Sequence, residues 1–156
     1  MALDKTKVVY QIYPKSFKDT TGNGIGDFQG IIEKIPYLKE LGVDMVWLNP
    51  FYPSPQRDNG YDISDYTAVN PLFGTMSDFE EMVQVGREYG IDFMLDMVLN
   101  HCSTEHEWFQ KALAGDPYYQ DFFFCVMSRQ IGCLSLAAAP GHLLEQRAST
   151  TCISLM

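Results

Sequence analysis

The chain has 156 residues, 46% of them hydrophobic and 20% charged, with a formal net charge of −9. That length suits one ordinary domain with a real apolar core, and the composition excludes wholesale disorder. The acidic balance argues against a nucleic-acid or anionic-membrane partner, since both need clustered Lys and Arg.

The N-terminal stretch Met1–Lys7 has no apolar signal core behind it, and the run Val8–Tyr13 is far too short for a signal peptide or membrane span. A cytoplasmic protein is the expectation, with its four cysteines reduced rather than paired. Val8–Tyr13, β-branched and aromatic, reads as the first buried strand. A Gly-rich loop follows, and Asp27 stands where a helix N-cap would. Phe28, Ile31, Ile32, Ile35, Leu38 and Leu41 mark one helical face, and Gly42 stops it. Met45–Leu48 is the second strand, followed by a loop rich in Pro, Asn, Gly and Asp that runs to about Thr75. Ser77 and Glu80 have capping-box spacing for a second helix that ends at Gly90. Ile91–Val98 is the third strand.

The β-α-β-α-β order requires parallel strands with right-handed crossovers. It permits either a doubly wound sheet or a (β/α)8 barrel. In both, ligands bind beyond the C-terminal strand ends. Unusual polar residues gather there: Asp58, Asn59, Tyr61 and Asp62 after strand two, Asn100 and His101 after strand three. Singly, an Asp-Asn-Gly stretch is an ordinary turn and a lone His an ordinary structural residue. Two such clusters at the functional edge are stronger evidence.

Composition breaks at Phe124. All 21 aromatic residues and 28 of the 31 charged ones lie at or before it, while Cys125, Cys133 and Cys152 lie after it. Residues 125–156 resemble neither a linker nor a domain. The Phe122–Phe124 run implies a thymine-rich coding stretch, so the tail is expected to be out of frame and non-native. The coding DNA tests this: removing one base there restores an aromatic-rich frame, and early stop codons in that frame would refute it.

The segments VVYQIYPKSF, DTTGNGIGD, VWLNP, SPQRDNGYDISDY, FGTMSDFEE and DMVLNHCSTEHEWF occur in this order. Together they resemble the α-amylase superfamily, glycoside hydrolase family 13, from about Lys7 to Phe124. DNGYDI together with the D-x-x-x-N-H strand end resembles its exo-acting α-glucosidase branch. The resemblance implies an α/β fold: residues 1–124 as the N-terminal part, the first three β/α units, of an incomplete (β/α)8 TIM barrel, with the start of its inserted subdomain. It implies retaining hydrolysis of an α-glucosidic bond in a small sugar, trehalose 6-phosphate or alternatively a short α-1,6-linked glucan.

By the same resemblance Asp58 and Tyr61 hold the non-reducing-end glucose, and His101 contacts one of its hydroxyls. Asp96 and Asn100 brace the strand end. Asp19, Thr21, Asn23, the Ile25 carbonyl and Asp27 line up with a calcium-binding loop, whose oxygen donors suit a hard cation. Thr21 and Asn23 depart from that pattern, standing where calcium-binding relatives carry Asn and Asp. Cys102 and Asn49 depart as well, where Thr, and Thr or Ser, are usual. No organic cofactor is implied. The nucleophile and the acid/base, about 5–5.5 Å apart in a retaining enzyme, belong to strands four and five and are expected to be absent from this chain. A chain so cut short is expected to be inactive, and the competing expectation is a non-catalytic fragment of a broken gene.

Overall fold

A computed structural model describes residues 6–123. The tail expected to be out of frame, with Cys125, Cys133 and Cys152, lies outside the described residues. By internal packing the described residues form two compact units, residues 6–53 with 67–97 and residues 54–66 with 98–123.

The first unit holds a parallel sheet of β1 (Val9–Ile12), β2 (Met45–Leu48) and β3 (Asp92–Leu95) in the order β1-β2-β3. Ile12 pairs with Leu48 and Leu48 with Leu95, so the three strands end level with one another. Successive residues of a strand face opposite sides. Ile12, Val46 and Leu48 are buried on one side, whereas Gln11 and Asp92 on the other are exposed. A short helix α1 (Pro14–Phe17), not anticipated in the expected order of elements, follows β1 with Pro14 at its first turn.

Helix α2 (Phe28–Glu40) begins at the expected cap: the Asp27 side chain accepts from the Gly30 N–H. Phe28, Ile31, Ile35 and Leu38 are wholly buried, as their spacing predicts. Leu41 is a correction, because it is 53% exposed. The helix has ended by then, and Gly42 at φ 84° turns the chain away. Helix α3 (Met76–Glu88) does have a capping box, but built from Thr75 and Asp78 rather than Ser77 and Glu80. Gly86 on α3 lies so close to β3 that a Cβ there would stand 2.4 Å from the Phe93 ring. The third strand is also shorter than expected. It stops at Leu95 because its partner β2 stops at Leu48, and a parallel strand extends only as far as there is a ladder to join.

In the second unit α4 (Glu107–Leu113) and α5 (Pro117–Gln120) gather a small core of Phe109, Ala112 and Phe123. No described helix is long and apolar enough to cross a membrane.

Candidate functional site

The second unit carries most of the polar residues singled out after strands two and three. Its first segment is knotted by Asp62, whose carboxylate accepts from the Ser54 hydroxyl at 2.6 Å and from the Arg57 N–H at 2.9 Å. Within that frame the Tyr61 N–H donates to the Asp58 carbonyl at 3.0 Å. The two residues between them, Asn59 and Gly60, have φ of 53° and 100°. Two positive φ values inside an i to i+3 bond mark a type I′ turn, which Asn-Gly adopts readily. The turn brings Asp58 and Tyr61 together at its two ends, with Asp58 exposed and Tyr61 half-buried. The two Asp residues therefore differ: Asp62 has both oxygens engaged within the loop, while Asp58 faces solvent.

The second segment carries Asn100 and His101. The Asn100 amide nitrogen lies against His101 Nδ1. With the amide donating, Nδ1 is the acceptor and the imidazole proton sits on Nε2. That Nε2 is buried and has no hydrogen-bond partner among the described residues. A buried donor without an acceptor is costly. His101 thus keeps an N–H ready for an oxygen that the described protein does not supply.

Three ties join the two segments. The Ser103 N–H donates to the Ile63 carbonyl at 2.8 Å, Arg57 Nη2 meets Glu105 Oε1 at 3.3 Å, and the Tyr66 hydroxyl lies 2.8 Å from the carbonyls of both Val98 and His101. Tyr66 escaped the sequence reading because its acceptors are 35 and 32 residues away, beyond any local pattern. His106 caps α4, its Nδ1 accepting from the Trp108 N–H, and burial lowers its pKa so that it stays neutral. Cys102 is a free thiol pushed up to about 11 by burial, which leaves it nearly all protonated at neutral pH.

Asp96 belongs to the first unit. Its N–H donates to the Leu48 carbonyl at 3.0 Å just past β3. Burial, and then the Asp96 charge, raise the pKa of the Tyr52 hydroxyl, which donates toward Met97 Sδ.

The remaining candidate is the loop 19–27. Asp19 Oδ1 accepts from the N–H groups of Thr21 and Gly22, both at 2.8 Å, and from the Thr21 hydroxyl; Oδ2 accepts from the Gly24 N–H at 2.7 Å. These bonds, the Gly24 one foremost, hold the Asp19 carboxyl below its usual range. Asn23 Oδ1 accepts from the Ile25 N–H. Asp27 has both oxygens engaged, one by Gly30 and one by the N–H and hydroxyl of Thr20. The donor set of Asp19, Thr21, Asn23, the Ile25 carbonyl and Asp27 is all oxygen and fits a hard cation. It includes only two carboxylates, and among the described residues no group of three or more His, Cys, Asp or Glu gathers to hold a metal.

Comparison with known proteins adds the wider context. Residues 11–145 match the alpha-amylase catalytic domain family. Trehalose-6-phosphate hydrolase of Escherichia coli (strain K12) is 55% identical over 116 residues, which are 74% of this chain and 21% of that protein. Oligo-1,6-glucosidase of Bacillus cereus is 52% identical over 76% of this chain and 22% of its own length. The crystal structure of Bacillus licheniformis trehalose-6-phosphate hydrolase, 58% identical, has a TM-score of 0.75 and covers 77% of this chain and 22% of that one. The chain spans about a fifth of the length of these relatives.

Proposed function

Because the chain belongs to the α-amylase catalytic-domain family, and its three-stranded parallel sheet is part of a (β/α)8 barrel, we propose that its second unit holds the terminal glucose of an α-glucoside for a glycosidase of that family. The observation that carries this is the buried His101 Nε2–H with no acceptor among the described residues. A sugar hydroxyl is the acceptor it suits. Asp58, exposed at the head of the 58–61 turn, accepts hydrogen bonds from glucose hydroxyls, since an ionised carboxylate accepts several. Tyr61, at the other end of the turn, offers an apolar ring face to the sugar. Asp96 braces the end of β3 and Asn100 holds His101 Nδ1, neither touching the sugar.

The substrate is trehalose 6-phosphate, as the names of the trehalose-6-phosphate hydrolases of E. coli and B. subtilis suggest, at 55% and 57% identity. A short α-1,6-linked glucan is the second reading, supported by the oligo-1,6-glucosidases at 52–53% identity. Asp58 and Asp96 are assigned binding and bracing roles, and neither is the nucleophile or the acid/base. Loop 19–27 is a cation site for Ca2+, with Asp19 as its ionised ligand.

Titration of the 156-residue chain with methyl α-glucoside, trehalose 6-phosphate and isomaltose, followed by NMR, tests the binding. Asp58→Asn should weaken binding by about 10-fold, as expected for a lost charge-assisted bond of roughly 1.5 kcal/mol or more, and His101→Ala by about 5-fold, as expected for a lost neutral bond of roughly 1 kcal/mol. No glucose should be released. Unchanged affinity in both variants would refute the binding role, and turnover abolished by Asp96→Asn would move the chemistry onto Asp96.

A further inference from the structure

We infer that Tyr66 is a positioning residue for His101, its hydroxyl holding the 98–101 segment so that the His101 Nε2–H stays aimed at the sugar. Residues 99–102 belong to no helix or strand, and Leu99 is 65% exposed, so regular structure does not fix the His101 backbone. The Tyr66 hydroxyl lies 2.8 Å from the carbonyl of Val98 and 2.8 Å from that of His101. A phenol has one proton, and sharing it between two carbonyls three residues apart pins both ends of the segment at once. The anchor is itself rigid. The Tyr66 ring stacks on Trp108 at 6.2 Å between centroids and lies beside His106 at 5.5 Å. Both belong to the start of α4, where His106 is the buried N-cap.

Two linked restraints therefore act on His101: Tyr66 at its carbonyl and the Asn100 amide at its Nδ1. The first holds the backbone conformation in which the Asn100 amide reaches Nδ1, and that contact sets which nitrogen carries the proton. Neither alone fixes the direction of the Nε2–H. This role rests on His101 being a sugar ligand, as proposed above, but the orientation of the ring can be measured without any sugar.

Tyr66→Phe is the discriminating variant, because it keeps the ring packing and removes only the shared proton. In the full 156-residue chain, nitrogen-15 NMR of the histidine side chains should show His101 as a single Nε2–H tautomer in the wild type and as a mixture in Tyr66→Phe. Affinity for methyl α-glucoside should fall about 3- to 10-fold in Tyr66→Phe, the size expected for one hydrogen bond. The loss should vanish when Tyr66→Phe is added to His101→Ala, since residues acting through one another are not additive. A single Nε2–H tautomer persisting in Tyr66→Phe, or an affinity loss that survives in the His101→Ala background, overturns the assignment. If His101→Ala alone leaves the affinity unchanged, the sugar-ligand role fails, and the tautomer comparison still decides whether Tyr66 orients the ring.

Discussion

Asp27 is where the capping and cation-binding roles of the 19–27 loop make different predictions. Asp27 is 7% exposed, and its carboxylate takes three hydrogen bonds, from the Gly30 N–H at 2.7 Å, the Thr20 N–H at 2.9 Å and the Thr20 hydroxyl at 2.8 Å. Asp27→Ala removes the helix cap, worth about 1 kcal/mol, and leaves the Thr20 N–H without its charged acceptor, worth roughly 1.5–3 kcal/mol more. The two overlap, so a total of about 2–4 kcal/mol is expected. Asp27→Asn keeps an oxygen for Gly30, and its amide can donate to the Thr20 hydroxyl. Only the Thr20 N–H is then orphaned, at about 1 kcal/mol. At roughly 4 °C per kcal/mol for a domain of this size, Tm should fall by about 8–16 °C for Ala and about 4 °C for Asn. Urea and thermal denaturation followed by circular dichroism, each in EDTA and in millimolar Ca2+, measure both effects. Ca2+ should raise the wild-type Tm, since a ligand that binds only the folded state stabilises it. The Asp27→Ala loss should persist in EDTA, because the three bonds are made by protein alone. A loss that appears only with Ca2+ present would mean that Asp27 acts as a cation ligand and that the cap contributes nothing measurable.

Two further perturbations test the packing and the electrostatics. Gly30→Ala would ordinarily favour a helix by about 1 kcal/mol. Here its Cβ would stand 2.1 Å from the Lys18 carbonyl oxygen, which also accepts from the Asp27 N–H, so a net loss of about 2 kcal/mol or more is expected in urea denaturation; equal or higher stability would refute the close approach. The Asp78 carboxyl is held below its usual range by the Thr75 hydroxyl, then the Thr75 N–H, then Gln29. A lowered folded-state pKa means this stabilisation is present above about pH 4 and is lost as the pH falls through the folded value. The Tm gap between wild type and Asp78→Asn should therefore narrow between pH 5 and pH 2.5, and a constant gap would show that the capping box does not depend on the ionised carboxyl.

Much of this architecture was legible along the chain because its causes are local. Met45–Leu48 and the Asp27-capped helix follow from apolar spacing and from a side chain that reaches only three residues ahead. The 58–61 turn was equally plain, since Asn-Gly is what two successive positive φ values require. The helix-3 cap was not. Thr75-x-x-Asp78 and Ser77-x-x-Glu80 satisfy the same pattern, and the choice was made by the approach of the chain through Gly74, whose φ is 130°. Nor did the apolar residues Met97 and Val98 reveal that β3 ends at Leu95, because the partner strand sets that limit.

The order of strands and helices determined a parallel α/β sheet, and the polar clusters after strands two and three pointed to the functional edge. The order of elements could not separate a barrel from a doubly wound sheet, since three neighbouring parallel strands occur in both; the sequence motifs pointed to the barrel and the solved relatives showed it. Only the tertiary structure decided that Asp62 is tied up inside its loop while Asp58 is exposed, that His101 keeps a buried donor without an acceptor among the described residues, and that the Tyr66 hydroxyl reaches its backbone. The reason is physical. Capping, turns and periodicity act over a few residues, whereas a hydroxyl that reaches carbonyls 32 and 35 residues away is placed by the packing of the whole unit.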